Sequence, residues 1–150
     1  MLFDRLIVIV VFVVVMIGLI GFTDLPIGGE PPRSYEREIL SGSVERVVDG
    51  DTLRISGQTR AVRLWGIDAP EISEAGGSES SRNLASLVSG QKISCKKKDE
   101  DRYGRIVALC HSTSGVDLAE AQIASGHAVE WLRYSRGYYS GSEPIGSTDN

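Results

Sequence analysis

Residues 6–22 are apolar or glycine without interruption and carry no charge. At about 1.5 Å per residue this run predicts a helix of about 25 Å, the short end of what spans a bilayer. Arg5 precedes it, while Asp24 and Glu30 follow, so the positive-inside tendency places the amino terminus in the cytoplasm and the rest of the chain outside. A membrane anchor over 1–23 is therefore expected, single-pass in the cytoplasmic membrane. The alternative is a cleaved signal peptide and a secreted domain. Over residues 24–43 both helical and strand periodicity vanish, and Pro26, Pro31 and Pro32 favour an extended linker.

Beyond the linker the pattern changes to short β-branched runs. V-E-R-V-V from Val44, T-L-R-I-S from Thr52 and R-A-V-R-L-W-G-I from Arg60 are separated by D-G-D and S-G-Q turns, and predict three consecutive strands. Residues 78–89 then bring Leu84, Leu87 and Val88 onto one face at helical spacing and stop before Gly90. Two more strands, over 92–96 and 105–111, flank a polar turn. A second helix opens at Asp117 as N-cap, with Glu120 three positions on and Gly126 as its stop. The order βββαββα is that of the OB-fold, a five-stranded barrel with helices at its margins. The predicted domain spans 44–134, followed by an irregular tail over 135–150 that is rich in Ser and Gly.

Composition narrows the chemistry. With 150 residues, once the apolar run and linker are set aside, the chain holds one domain of modest core. Sixteen Lys and Arg against twenty Asp and Glu give a net charge of -4, which excludes polybasic binding as the main source of affinity for any phosphate ligand. Two cysteines exclude a disulfide-dense scaffold or a four-cysteine zinc site. Cys95 and Cys110 flank the 101–105 turn almost symmetrically, on strands that should pair, so a disulfide between them is expected.

Three clusters remain as candidate chemistry. Asp49-Gly50-Asp51-Thr52 reads as a turn, yet Asp51 shares the parity of Leu53 and Ile55 and so points toward the barrel mouth, where a carboxylate needs a partner. In Arg63-Leu64-Trp65-Gly66-Ile67-Asp68-Ala69-Pro70-Glu71, Arg63 lies opposite the core parity of Val62 and Leu64, near two acids. A guanidinium beside two carboxylates suits a divalent ion and a phosphate together. Asp101-Arg102-Tyr103-Gly104-Arg105 places Arg105 at the start of the fifth strand, where it reaches the same mouth. Residues 96–101 read as a solvated charge run, and His111 and His127 as surface or packing residues.

With V-V-D-G-D-T-L, V-R-L-W-G-I-D-A-P-E, D-R-Y-G-R-I-V-A and G-V-D-L-A-E-A-Q-I-A-S-G-H-A in this order, the chain resembles the staphylococcal nuclease (thermonuclease) family over about residues 44–134. The resemblance implies a calcium-dependent phosphodiesterase that cuts DNA or RNA to 5'-hydroxyl and 3'-phosphate ends. It implies calcium ligands at Asp51, Asp68 and the Ala69 carbonyl, where the family commonly has Thr. It also implies a general base at Glu71, phosphate-binding arginines at Arg63 and Arg105, and nucleotide contacts at Tyr103 and Tyr134. A monomer is expected. Two departures stand out: the connection after Glu71 carries no Lys or Arg, and no long helix follows Tyr134. Two further readings stay open: a non-catalytic OB-fold module that binds nucleic acid, against which the presence of Asp51, Asp68, Glu71, Arg63 and Arg105 argues, and a membrane-tethered interaction domain, which the two departures would suit.

Overall fold

The computed structural model of the protein describes residues 38–144. Its centre is a closed five-stranded barrel built from β1 (Ile39–Val47), β2 (Thr52–Ile55), β3 (Val62–Leu64), β5 (Lys92–Glu100) and β6 (Ile106–Ser112), in the order β1-β2-β3-β6-β5. All pairings are antiparallel except β3 with β6, which run parallel with Val62 opposite Ile106 and Arg63 opposite Val107. This is the strand order expected of an OB-type barrel. Outside it, among the described residues, lie a two-stranded sheet of β4 (Ile67–Asp68) and β7 (Val129–Glu130), and the helices α1 (Gly77–Val88), α2 (Leu118–Ala124) and α3 (Leu132–Ser135).

The elements follow from local chemistry. Alternation puts Leu53 and Ile55 of β2, and Ile93 and Cys95 of β5, into a core shared with Val62, Leu64, Leu84, Ile106, Leu118 and Ile123. Helix α1 buries Gly77, Ser80, Leu84 and Val88, a stripe of three- and four-residue steps, and turns out through Gly90 at φ +68°. Asp117 caps α2 as expected, its Oδ1 accepting from the backbone N–H of Ala119 at 2.9 Å and of Glu120 at 3.2 Å.

Four features differ from the sequence reading. Strand β1 begins at Ile39, so residues 39–43, assigned to the linker, pair with β5 from Ile39 opposite Lys96 to Ser43 opposite Lys92. Ser41-Gly42-Ser43 has the composition of a linker, but ladder hydrogen bonds are made by the backbone and need no apolar pattern. Strand β5 continues to Glu100, so most of the charge run lies on a strand rather than in the polar turn, exposed over 98–100 and with Lys97 Nζ 3.2 Å from Glu38. The short elements β4, β7 and α3 are too brief to show a period. The tail is made of turns up to residue 144, yet Tyr139 within it is buried in the core. Its backbone N–H donates to Glu130 at 2.9 Å and its hydroxyl to Asp117 at 3.4 Å, and its ring meets those of Trp65 and Tyr138. Burial and the Asp117 carboxylate push the phenol well above its ordinary range.

The anchor expected over residues 1–23 lies outside the described residues; among those described, no helix is long and apolar enough to cross a membrane. Cys95 sits directly opposite Cys110 between β5 and β6, and the two form a disulfide across 15 residues, both sulfurs within the core. Removing that cross-link frees the unfolded chain. Reduction, or replacing both cysteines with Ala, is expected to lower the unfolding free energy by about 3 kcal/mol. Urea unfolding followed with and without reductant checks this, and coincident curves would contradict it.

Candidate active site

The site is built at the barrel mouth where β2 and β3 begin and end. The turn before β2 is tight, with the N–H groups of Val48 and Asp49 both directed at the Thr52 carbonyl, at 2.8 and 3.3 Å, and Asp49 accepting from the N–H of Asp51 at 3.0 Å. Asp51 leaves this turn with its carboxylate buried, only 4% exposed. Oδ1 accepts from the Thr52 hydroxyl at 2.8 Å, while Oδ2 accepts from the Arg63 guanidinium and from the N–H of Ala69 at 3.4 Å. Burial pushes the Asp51 carboxyl above the ordinary carboxylate range, against the pull of Arg63 and Thr52.

Arg63 stands opposite Thr52 in the β2–β3 ladder and gathers the other groups. Besides Asp51, it donates from Nη2 to Asp68 at 3.1 Å and to the Ile67 carbonyl at 3.2 Å, and its guanidinium lies 5.5 Å from the ring centre of Trp131. Burial works against its charge, but the two carboxylates outweigh it and hold the group firmly protonated. Asp68 is different in kind: its side chain is 61% exposed at the end of β4. The pair therefore presents one sheltered and one open carboxylate to a single cation.

Arg105 reaches the same place from the β5–β6 turn. Its Nε donates to Asp101 at 2.6 Å and its Nη1 to the Thr52 hydroxyl at 3.1 Å, while Asp101 Oδ1 also accepts from the N–H groups of Tyr103 and Arg105, each at 2.9 Å. A continuous chain thus runs Arg105, Thr52, Asp51, Arg63, Asp68. Among the described residues, Nη2 of Arg105 has no protein partner. Partial burial acts to raise the Asp101 carboxyl, but Arg105 and the two N–H groups prevail and hold it below its ordinary value.

Of the residues singled out from the sequence, Asp51, Arg63, Asp68, Ala69 and Arg105 are brought together. Glu71 is not joined to them: it is exposed, and its N–H donates to Glu74 at 2.9 Å. Its carbonyl accepts from the Glu74 N–H at 2.8 Å, and a Cβ on Gly77 would lie 1.8 Å from that oxygen, so α1 can start there only with glycine. Tyr103 is exposed with Arg105 over its ring at 5.5 Å, and Tyr134 is half-exposed, packed edge-on against Trp131 at 4.5 Å. Three residues were not legible as parts of the site. Thr52 reads as an ordinary strand residue, Trp131 falls in A-V-E-W-L without a period, and Asp101 reads as a turn acid. The signal for Asp101 was its spacing of four from Arg105 across a glycine.

Among the described residues no three or more His, Cys, Asp or Glu side chains gather as a metal cluster. The donors that converge are two carboxylates, which already share one cationic partner, beside the backbone of Ala69. The two carboxylates are hard oxygen donors of the kind that suit calcium or magnesium, the remaining positions falling to a backbone carbonyl, water and phosphate.

The geometry defines a class, a small OB-type barrel with a carboxylate–guanidinium mouth. Residues 61–143, more than half of the chain, match the family model described as "staphylococcal nuclease homologue", and the protein belongs to that family. Similar proteins include an "uncharacterized endonuclease" of Escherichia coli, 34% identical over 98 residues, covering 64% of either chain. A "micrococcal nuclease" of Shigella flexneri is 34% identical over 103 residues, covering 65% of this chain and 59% of that one. An "uncharacterized endonuclease" of Haemophilus influenzae is 37% identical over 103 residues, covering 66% and 57%. The chain thus spans less than two thirds of the length of these relatives.

The depressed Asp101 carboxyl carries a stability consequence whose sign is fixed. Its folded value lies below the unfolded value of about 3.9, so its contribution is complete above that pH and is lost as the pH falls through the folded value. The stability gap between wild type and Asp101→Asn is therefore expected to be full near neutral pH and to close on acidification below about pH 4. Urea unfolding across pH reads it, and a gap that widens in acid would contradict it.

Proposed function

We propose that this protein is a phosphodiesterase that hydrolyses DNA or RNA, calcium-dependent and leaving 5'-hydroxyl and 3'-phosphate ends. The observation that carries this is the unbroken chain from Arg105 through Thr52, Asp51 and Arg63 to Asp68. It links two guanidinium groups to one pair of carboxylates, Arg63 directly and Arg105 through the Thr52 hydroxyl. The family and the nuclease names of its relatives support the same reading.

A phosphodiester repels an incoming nucleophile because it is already anionic, and the charge on its non-bridging oxygens must be met by groups fixed in advance. Arg63 and Arg105 are fixed by Asp51, Asp68 and Asp101, so their remaining N–H donors are aimed without reorganisation on binding. Asp51 and Asp68, with the Ala69 carbonyl, would hold a calcium ion, which when bound supplies further positive charge at the phosphate. Glu71, exposed three residues beyond Asp68 in sequence, would take the proton of the attacking water, which requires its side chain to swing toward the bound phosphate. Trp131 beside Arg63, Tyr134 packed on Trp131, and Tyr103 beside Arg105 are partly exposed aromatic rings on which unpaired bases would stack. None of these groups reads a base edge, so DNA and RNA are both within reach.

The reading extends to location. We propose that residues 1–23 anchor the barrel on the outer side of the cytoplasmic membrane, or are removed to release it. The Cys95–Cys110 disulfide supports this, since such bonds persist in oxidising compartments. Full-length protein in the soluble fraction without detergent, its amino terminus intact, would refute both.

The function is tested on the purified full chain with single-stranded DNA and RNA, with calcium and with a chelator. Arg63→Lys and Arg105→Lys are expected to lower kcat by about a hundredfold or more, because a point charge cannot replace a fork of fixed donors. Glu71→Gln should also lower kcat with calcium affinity retained, while Asp51→Asn and Asp68→Asn should raise the calcium needed for half-maximal activity. Wild-type turnover in both Arg105→Lys and Glu71→Gln at saturating calcium would mean the chemistry lies elsewhere.

A further inference from the structure

Helix α2 buries Leu118, Ala119, Gln122 and Ile123, and Gln122 is fully enclosed at a position where the helical stripe calls for an aliphatic side chain. A buried primary amide has to find partners for its donors and its acceptor. Those of Gln122 all lie outside its own helix. Nε2 donates to the Gly50 carbonyl at 2.6 Å and to the Ser80 carbonyl at 3.1 Å, and Oε1 accepts from Asn83 at 2.5 Å. The side chain thus joins α1 and α2 to the turn that delivers Asp51.

The peptide unit it holds is the decisive one. The Gly50 carbonyl and the Asp51 N–H belong to a single planar group. Its oxygen is taken by Gln122 from the interior, and its N–H is taken by Asp49 at 3.0 Å from the turn. With both polar ends pinned, the plane cannot rotate, and the direction in which the Asp51 side chain leaves the backbone is set. The turn is also pressed inward: a Cβ on Gly50 would lie 1.8 Å from the Ser80 hydroxyl and 2.8 Å from the Ala69 Cβ, so only glycine allows the approach. The same contact seats the turn against Ala69, the residue after Asp68.

We propose that Gln122 is a positioning residue for the Asp51–Asp68 carboxylate pair, acting through the Gly50–Asp51 peptide to set the site's affinity for a divalent cation. This rests on the reading of Asp51 and Asp68 as cation ligands. It assigns Gln122 no contact with substrate. A partner that orients a ligand from behind typically changes affinity about 10- to 100-fold when lost, whereas a merely structural glutamine would change stability and leave the cation site as it was.

The test is direct titration of the full-length protein in detergent with calcium alone, without nucleic acid, beside thermal unfolding of each variant. Gln122→Met keeps the length and volume of the side chain and removes the donor; it is expected to weaken calcium binding at least about tenfold. Asn83→Ala, on a partly exposed helical position, leaves Gln122 in place but frees its amide to turn, and is expected to weaken binding in the same direction by a smaller factor. Val88→Ala, in the core at the far end of α1, is expected to lower the unfolding temperature and bind calcium as the wild type does. The proposal is overturned if Gln122→Met and Asn83→Ala bind calcium as tightly as the wild-type chain. It is likewise overturned if Val88→Ala weakens binding as much as they do. A wild-type chain that neither binds calcium nor cleaves nucleic acid would fail at an earlier step and overturn the proposed function itself.

Discussion

A carboxylate enclosed at the end of a barrel must have a cation beside it, and Arg63 is that cation. Taking an ion out of water costs several kcal/mol, and removing one member of a buried pair typically destabilises a protein by about 3–5 kcal/mol because the other is left uncompensated. Asp51 and Arg63 therefore each hold the other in the fold. The remaining polar geometry of the mouth is arranged around them: Thr52 satisfies the second oxygen of Asp51, Asp68 and the Ile67 carbonyl take the other donors of Arg63, and Trp131 shields its face. An arginine with this much structural duty is poorly probed by deletion, which would report the fold as much as the chemistry.

Much of this was legible in the residues. Parity directed Asp51 to the mouth with Leu53 and Ile55, and set Arg63 opposite Val62 and Leu64, where its closeness in sequence to the two acids at the strand's exit pointed to the same place. The capped start of α2 and the glycine stop of α1 were equally plain. Illegible were groups whose roles depend on a distant partner. Thr52 matters because Arg105 arrives from another hairpin, and Gln122 because Gly50 lies 72 residues away. Residues 39–43 escaped because their contribution to the barrel is a backbone ladder beneath side chains of linker composition.

The carboxyl-terminal segment belongs to the same class of long-range contributions. Ser- and Gly-rich sequence lacks a periodic apolar face, so it reads as irregular, and its turns are irregular indeed. One aromatic side chain changes its standing. Tyr139 fills space against Trp65 and closes a hydrogen bond to Asp117, the residue that also caps α2. The last turns of the domain thereby stabilise a helix whose own glutamine supports the turn before Asp51.

The parallel pairing of β3 with β6 places side by side two strands separated in sequence by α1 and the whole of β5. No hairpin can make that contact; it forms only when the ends of the barrel meet. The two arginines of the mouth stand on either side of this seam, while the Trp131 ring beside Arg63 and the Gln122 amide behind the Asp51 turn come from still later in the chain. The juxtaposition of Arg63 and Arg105 is thus a property of the closed barrel and not of either hairpin alone.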